Sequence, residues 1–432
     1  MRVIADFHIH SRYSRATSKI MTVEEIARSA KIKGLGIIGT GDFTNPKWLK
    51  ELGEKLVFES DASLYKTKDD SGSPMHFILT AEVSTIFPIA NKVRKVHHVI
   101  LAPSIETVFQ INERLSKFGD LACDGRPTLN VNAAHMVEEI MEVSGDNMIF
   151  PAHAWTPWFG VLGASSGFDS IEECYMDMTK HICALETGLS SNPPMNWRLS
   201  KLDSLTLLSN SDSHSCWPWR IGREANAFEL NKLSYYEIID TIKSKDKNRL
   251  KFTIETDPAY GKYHWTGHRN CHVSLSPQEA MKFGNTCPVC RKKLTKGVEQ
   301  RVEELADRPT GFRPENAIDF ICLLPLSEIV QTVLGVDSPS TQKAWGIYNL
   351  LVEKFGSEYS VLIDGSKEDL SLVAGEEIAE AIVRVREGNV QVIPGYDGVY
   401  GQLMISKDRP KDKNLTKRFQ PLNLTDFQSE KS

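Results

Sequence analysis

The first ten residues, MRVIADFHIH (Met1–His10), hold a short apolar run that ends in Asp6-Phe7-His8-Ile9-His10. Val3–Phe7 reads as a buried strand. Residues two apart on a strand share a face, so His8 and His10 point the same way at its C-terminal end. That end is where α/β barrels gather their chemistry. Working outward, Leu35–Ile38, Phe77–Thr80, Val99–Leu101, Met148–Pro151, Cys183–Glu186 and Leu205–Leu208 read as further buried strands. Thr22–Lys31, Ile105–Lys117, Asn132–Val143, Ile171–Met178 and Ser234–Lys243 read as helices between them, the first opened by a Thr22/Glu25 capping box. Strand–helix alternation with near-continuous apolar strands predicts an α/β fold, closed and barrel-like.

Two satisfied surface histidines would account for His8 and His10 if they stood alone. Other ionisable groups also sit at the ends of predicted strands: Glu82, the pair His97/His98, His153 in Pro151-Ala-His-Ala154, and Asp212 and His214 in Ser211-Asp-Ser-His214. Packing alone would leave such groups without partners, at high cost. A shared metal cluster supplies the partners, and imidazole with carboxylate suits Zn²⁺, Mn²⁺ or Fe. Two ions can lower the pKa of a bridging water and hold both reacting oxygens of a phosphodiester. Glu82 is the expected bridging ligand, and Asp212 the second carboxylate on which catalysis depends.

The chain has 432 residues, 41% hydrophobic and 25% charged, with a net charge of −5. That length suggests more than one domain, and the charge carries no chain-wide nucleic-acid signature. The N-terminus lacks an apolar signal region and no stretch is long enough to span a bilayer. The expectation is a soluble, cytoplasmic protein with no membrane partner. The expected organisation is residues 1–252 as the barrel, 253–309 as a small module, 310–405 as a C-terminal domain, and 406–432 as a flexible tail. In the third segment, Ser340–Phe355 and Gly375–Glu387 read as helices, Val361–Ile363 and Val390–Ile393 as strands.

The middle module explains three of the eight cysteines. His264-x₃-His268-x₂-Cys271 precedes Cys287-x₂-Cys290, a spacing characteristic of structural zinc. His268 gives the second knuckle the same spacing as the first and is the preferred fourth ligand, with His264 and His272 as alternatives.

D-x-H-x-H on the first strand, a lone Glu, a central Ala-His pair and a late S-D-x-H resemble the PHP (polymerase and histidinol phosphatase) superfamily over about residues 6–226. The resemblance implies a distorted (β/α)7 barrel with two or three divalent ions, Zn, Mg or Mn. It places ligands at His8, His10, Glu82, His153, Asp212 and His214, and one on the His97/His98 strand, where motif alignment favours His97. The superfamily's further His after His10 is absent here. Its T-D-H after the second strand is replaced by Thr40-Gly41-Asp42, where Asp42 can take the vacant role.

Longer motifs narrow this to the endonuclease Q family, which the sequence resembles to about Ile405: HSRYSRATSK (His10–Lys19), GTGDF (Gly39–Phe43), PAHAWTPWF (Pro151–Phe159), YHWTGHRNC (Tyr263–Cys271) and PGYDGVYG (Pro394–Gly401). The resemblance implies cleavage of DNA 5′ to deaminated bases (uracil, hypoxanthine, xanthine) and abasic sites. Trp155, Trp158, Phe159, Trp217 and Trp219 flank His153 and His214 and are expected to stack on or wedge DNA. Arg12, Arg15, Lys19, Arg220 and Arg223 are expected, as a group, to hold phosphates. The alternatives are a phosphatase of small phosphate monoesters and a non-catalytic nucleic-acid-binding protein. Pro421–Gln428 is similar to a sliding-clamp peptide, with Leu424 and Phe427 three apart and Gln420 out of register, so a clamp joins damaged DNA as an expected partner.

Overall fold

The computed structural model describes residues 1–68, 75–89 and 91–404. The tail expectations, including Leu424 and Phe427, lie outside the described residues. Seven strands form the centre: β1 (Arg2–Asp6), β2 (Ile37–Gly39), β3 (His76–Ile89), β4 (Lys92–Ala102), β5 (Met148–Pro151), β6 (Ala184–Glu186) and β7 (Thr206–Leu208). Each of the seven expected strands is present. β1, β2 and β3 run parallel, whereas β4 is antiparallel to both β3 and β5. β6 and β7 form a separate parallel pair. The ring is joined through Ala154 N–H to the Glu186 carbonyl and closed through His10 N–H to the Ser213 carbonyl. The barrel is therefore α/β with a mixed sheet, distorted by its reversed strand.

β3 and β4 are far longer than their apolar cores suggested, because they continue as an antiparallel hairpin past the barrel wall. The sheet also extends through β8 (Ala225–Glu229), β9 (Leu250–Glu255) and β10 (Asp319–Cys322). β9 straddles position 252, and β10 pairs with it from the third segment.

The helix Val23–Lys33 follows from its capping: Thr22 accepts from Glu25 N–H, two glutamates occupy its first turn, and Gly34 ends it with φ 97°. Helices Leu326–Leu334, Gln342–Phe355, Lys367–Ala374 and Glu376–Arg386 build the C-terminal segment. They bury Ile329, Tyr348, Leu351, Leu370 and Ile382 in the same core as the barrel helices. Val361–Ile363 is a correction: it belongs to a π-helical turn, Ser360–Asp364, in which Val361 and Leu362 face the helical core. The helical bundle offers these apolar residues burial without a partner strand. The middle module has its own small core of Val273, Leu275, Ala280, Cys287 and Leu294.

A candidate metal centre at the barrel rim

The hairpin register decides which histidine enters the centre. Glu82 faces Val99, Ser84 faces His97, and Val83 faces His98. Side chains alternate along a strand, so Glu82 and His97 share the inward face and His98 the opposite one. His98 is corrected out of the metal set: its ring bonds Thr85 Oγ1 at 2.9 Å and Tyr175 Oη at 2.8 Å.

Glu82 is buried, and its two carboxylate oxygens serve different groups. Oε1 lies 2.7 Å from His97 Nδ1 and 3.1 Å from His153 Nε2. Oε2 lies 3.2 Å from His10 Nε2, 3.5 Å from His8 Nε2 and 2.9 Å from the Arg126 guanidinium. Asp212 Oδ1 completes the second set, 3.0 Å from His10 Nε2 and 3.5 Å from His8 Nε2. Ligand atoms of His8, His10, Glu82 and Asp212 all lie within 4.8 Å of one another, as do those of Glu82, His97 and His153. His214 sits at the margin, 3.7 Å from Asp212, its ring stacked on His10 and its Nδ1 bonded to Thr17.

Burial alone would raise the Glu82 pKa, but His97, Arg126 and His8 outweigh it and hold the carboxylate well below its usual range. Burial also opposes ionisation of Asp212, and His8 and His10 reverse that. Burial pushes His97 and His214 down to about 4, favouring the neutral imidazole that binds metal. The residues fit divalent ions on a further ground: His8 Nε2 is buried with no hydrogen-bond partner among the described residues. A cation among these imidazoles and carboxylates would satisfy it.

Asp42 does not join the cluster. It is placed behind His10, bonding its Nδ1 at 2.9 Å and accepting from Ser11. Glu186 holds His8 Nδ1 in the same manner at 3.1 Å and also accepts from His153 N–H and Asn210. Carboxylates so placed fix the ring orientation and basicity of a metal-binding histidine. Asp42, His153 and Asp212 all have positive φ, at 53°, 29° and 46°, a backbone cost that a packed surrounding must sustain. Sequence reading missed Glu186 and Arg126. Glu186 had a signal, an acid ending a buried strand. Arg126 lies in a loop with none.

A cleft of about 580 Å³ opens beside His97, His153 and Asp212. Trp158, 44% exposed, and Tyr263 meet edge to face in it. Phe159 packs on His97, while Arg220, Lys262, His264 and Tyr400 add polar and aromatic lining. Its inner wall is short of partners: Arg223 Nε and Nη2, Thr256 Oγ1 and His264 Nδ1 are buried without a hydrogen bond among the described residues. Trp155 is corrected out of the substrate set, being fully buried with its indole N–H on Asn196 Oδ1. Its apolar ring belongs to the large hydrophobic core that the helices share. Trp217 and Trp219 stack on each other at 4.8 Å, Trp217 being 44% exposed. Arg12 pairs with Glu51, Arg15 with Asp124, and Lys19 is exposed.

In the middle module the ligand atoms of His268, Cys271, Cys287 and Cys290 lie within 4.8 Å of one another. This candidate zinc-binding group offers four protein ligands, the number that closes a structural site. His264 instead lines the cleft, 3.4 Å from Glu299, and His272 is exposed.

Residues 325–389 match the family described as MJ0043 C-terminal domain. The uncharacterized protein MJ0043 of Methanocaldococcus jannaschii is 34% identical over 258 residues, 58% of this chain and 31% of that protein. The chain thus spans about a third of that relative's length. The crystal structure of a lesion-specific endonuclease from Pyrococcus furiosus superposes with a TM-score of 0.84 at 35% identity, covering 97% of this chain and 99% of that one. Endonuclease Q in complex with a 27-mer duplex carrying an abasic lesion at the active site gives 0.83 at 35% identity, over 96% and 100%.

Proposed function

The chain belongs to the endonuclease Q family, and on that premise we propose that it is a metal-dependent endonuclease that cuts damaged DNA. The proposed bond is the phosphodiester 5′ to a deaminated base (uracil, hypoxanthine or xanthine) or an abasic site. The observation that carries this reading is Glu82, whose two oxygens belong to two adjoining ligand sets at the mouth of an aromatic cleft. His8, His10, Glu82 and Asp212 would hold one ion and Glu82, His97 and His153 a second, with His214 at the margin. Such ions, when bound, activate water and neutralise charge developing on the phosphate.

The chain's own groups supply the rest. Asp42 and Glu186 fix the tautomers of His10 and His8. Arg126 balances the charge of Glu82. Trp158 and Tyr263 offer rings for stacking an extruded nucleotide. Thr256 Oγ1 and His264 Nδ1, which lack hydrogen bonds among the described residues, and Arg223, whose Nη2 lies 3.8 Å from Glu328, offer hydrogen bonds to its polar edge. Arg15 and Lys19, both exposed, and Arg220, on the cleft wall, would supply phosphate contacts.

The test incubates the protein and Mg²⁺ or Mn²⁺ with end-labelled duplexes carrying one uracil, one hypoxanthine, one xanthine, one abasic site or no lesion. A nick immediately 5′ to the lesion, absent from the undamaged duplex, is expected. Hydrolysis of p-nitrophenyl phosphate with no cutting of any duplex would overturn the reading in favour of a small-ester phosphatase.

A further inference from the structure

The rim segment Trp217–Arg223 is clasped between the barrel and the C-terminal helices. Glu358 is fully buried and accepts from Lys33 Nζ at 2.7 Å, Leu326 N–H at 3.0 Å and the Tyr348 hydroxyl at 2.9 Å. Lys33, itself 1% exposed, donates also to the Pro218 carbonyl at 2.8 Å. The adjacent Tyr359 donates its hydroxyl to the Gly222 carbonyl. Gly222 N–H in turn donates to Asp6 Oδ2 at 3.0 Å, and Asp6 accepts from Ser211 N–H and Oγ at 3.1 and 2.6 Å. Ser211 directly precedes Asp212.

The aromatic contacts repeat the connection. Trp217 and Trp219 both meet Trp345 edge to face, and Trp345 stacks on Tyr348 at 4.7 Å. Gly222 has φ 59°, and a Cβ there would come within 2.9 Å of Lys33 Cγ. The segment thus has no slack on its barrel side. It carries Arg220 and Arg223 into the cleft.

We propose that Glu358 and Tyr359 are positioning residues, through which the C-terminal helices hold the Trp217–Arg223 rim and, by way of Asp6, the loop bearing Asp212 in register with the metal centre. Neither touches the cleft. Their effect runs through Pro218, Gly222 and Ser211. A buried ion pair is a poor source of net stability but a good means of fixing one arrangement. The cleavage arm of the test rests on the endonuclease reading, and the fluorescence arm does not.

Tyr359→Phe in the full-length protein removes one hydroxyl and keeps the ring. Single-turnover cutting of an abasic duplex at saturating protein is expected to fall about 10-fold, the low end of what losing an orienting partner costs. Duplex Kd should change less than the rate, and Tm and zinc content should stay near the parent's. Acrylamide quenching of the Trp217 emission, obtained by difference from Trp217→Phe, should rise without DNA present. Glu358→Gln should act in the same direction, and Lys33→Met/Glu358→Gln covers the case where a lone buried Lys33 prevents folding. A folded Tyr359→Phe protein with parental rate and quenching would overturn the proposal. So would losses of rate and Kd that merely track a fall in Tm. If the parent protein cuts no duplex, the endonuclease reading fails, and the quenching comparison still decides the positioning role.

Discussion

The barrel centre and the cysteine module both gather candidate metal ligands, in opposite ways. The module draws His268, Cys271, Cys287 and Cys290 from two knuckles within one short segment. The centre draws its candidate ligands from positions as far apart as His8 and Asp212: His8 and His10 follow β1, Glu82 and His97 lie within β3 and β4, and His153 and Asp212 follow β5 and β7. The module's four ligands close it, whereas the centre opens onto a cleft and is backed by Asp42, Glu186 and Arg126. A local set makes structure by being complete. On the proposed function a dispersed set serves chemistry, because a set assembled by the fold can leave one side free for substrate.

The sharpest break in that comparison is Glu82→Gln. Neutralising the carboxylate shared by both ligand sets leaves His97, His153 and Arg126 facing an amide. Cleavage should fall by more than about 100-fold, the upper end of what losing an outer partner costs. Tm should change little if the fold precedes the metals, and retention of most activity would end the bridging role of Glu82.

The module should respond the other way. Cys287→Ser removes a ligand that also belongs to the module's small core. Zinc content should drop by one ion per molecule, and proteolysis should begin within residues 262–297, because structural zinc contributes directly to folding. The barrel ions, measured by metal analysis, should persist. Loss of barrel metals in step with the module zinc would show the two sites to be coupled.

The same contrast explains what the sequence made legible. Cys287-x₂-Cys290 is local, so spacing alone exposed the module. His8, His10, Glu82, His153, Asp212 and His214 were legible because each follows an apolar strand, a pattern that survives without knowing the topology. His97 and His98 were not separable, since adjacent residues differ only by face, and face depends on the hairpin register. Trp155 and Trp158 both flank His153, yet one is buried in the hydrophobic core and the other lines the cleft. Arg126 reaches Glu82 from a loop, where no periodicity announces it. Val361–Ile363 looked like a strand because a short apolar run has no period of its own, and the helical bundle decided its form.

Glu186→Gln asks how far the dispersed set depends on its supports. The carboxylate holds His8 Nδ1 and His153 N–H together. Its loss should weaken metal affinity or activity by roughly 10- to 100-fold, with partial recovery at raised Mn²⁺. Equal activity at every metal concentration would show that packing alone orients His8.

The mildest effect should come from the cleft wall. Trp158 is half exposed against Tyr263, so Trp158→Ala costs the fold little apolar burial. Its ring faces the cleft and not a metal ligand, which separates it from Phe159 on His97. A base stacked there should lose about 1 kcal/mol, roughly a fivefold weaker Kd for a uracil duplex. An abasic site presents no base to stack, so its Kd should change less. The ratio of the two Kd changes is therefore the informative measurement. Equal weakening for both duplexes would mean that Trp158 supports the DNA backbone or the cleft wall, and that the damaged base is held elsewhere.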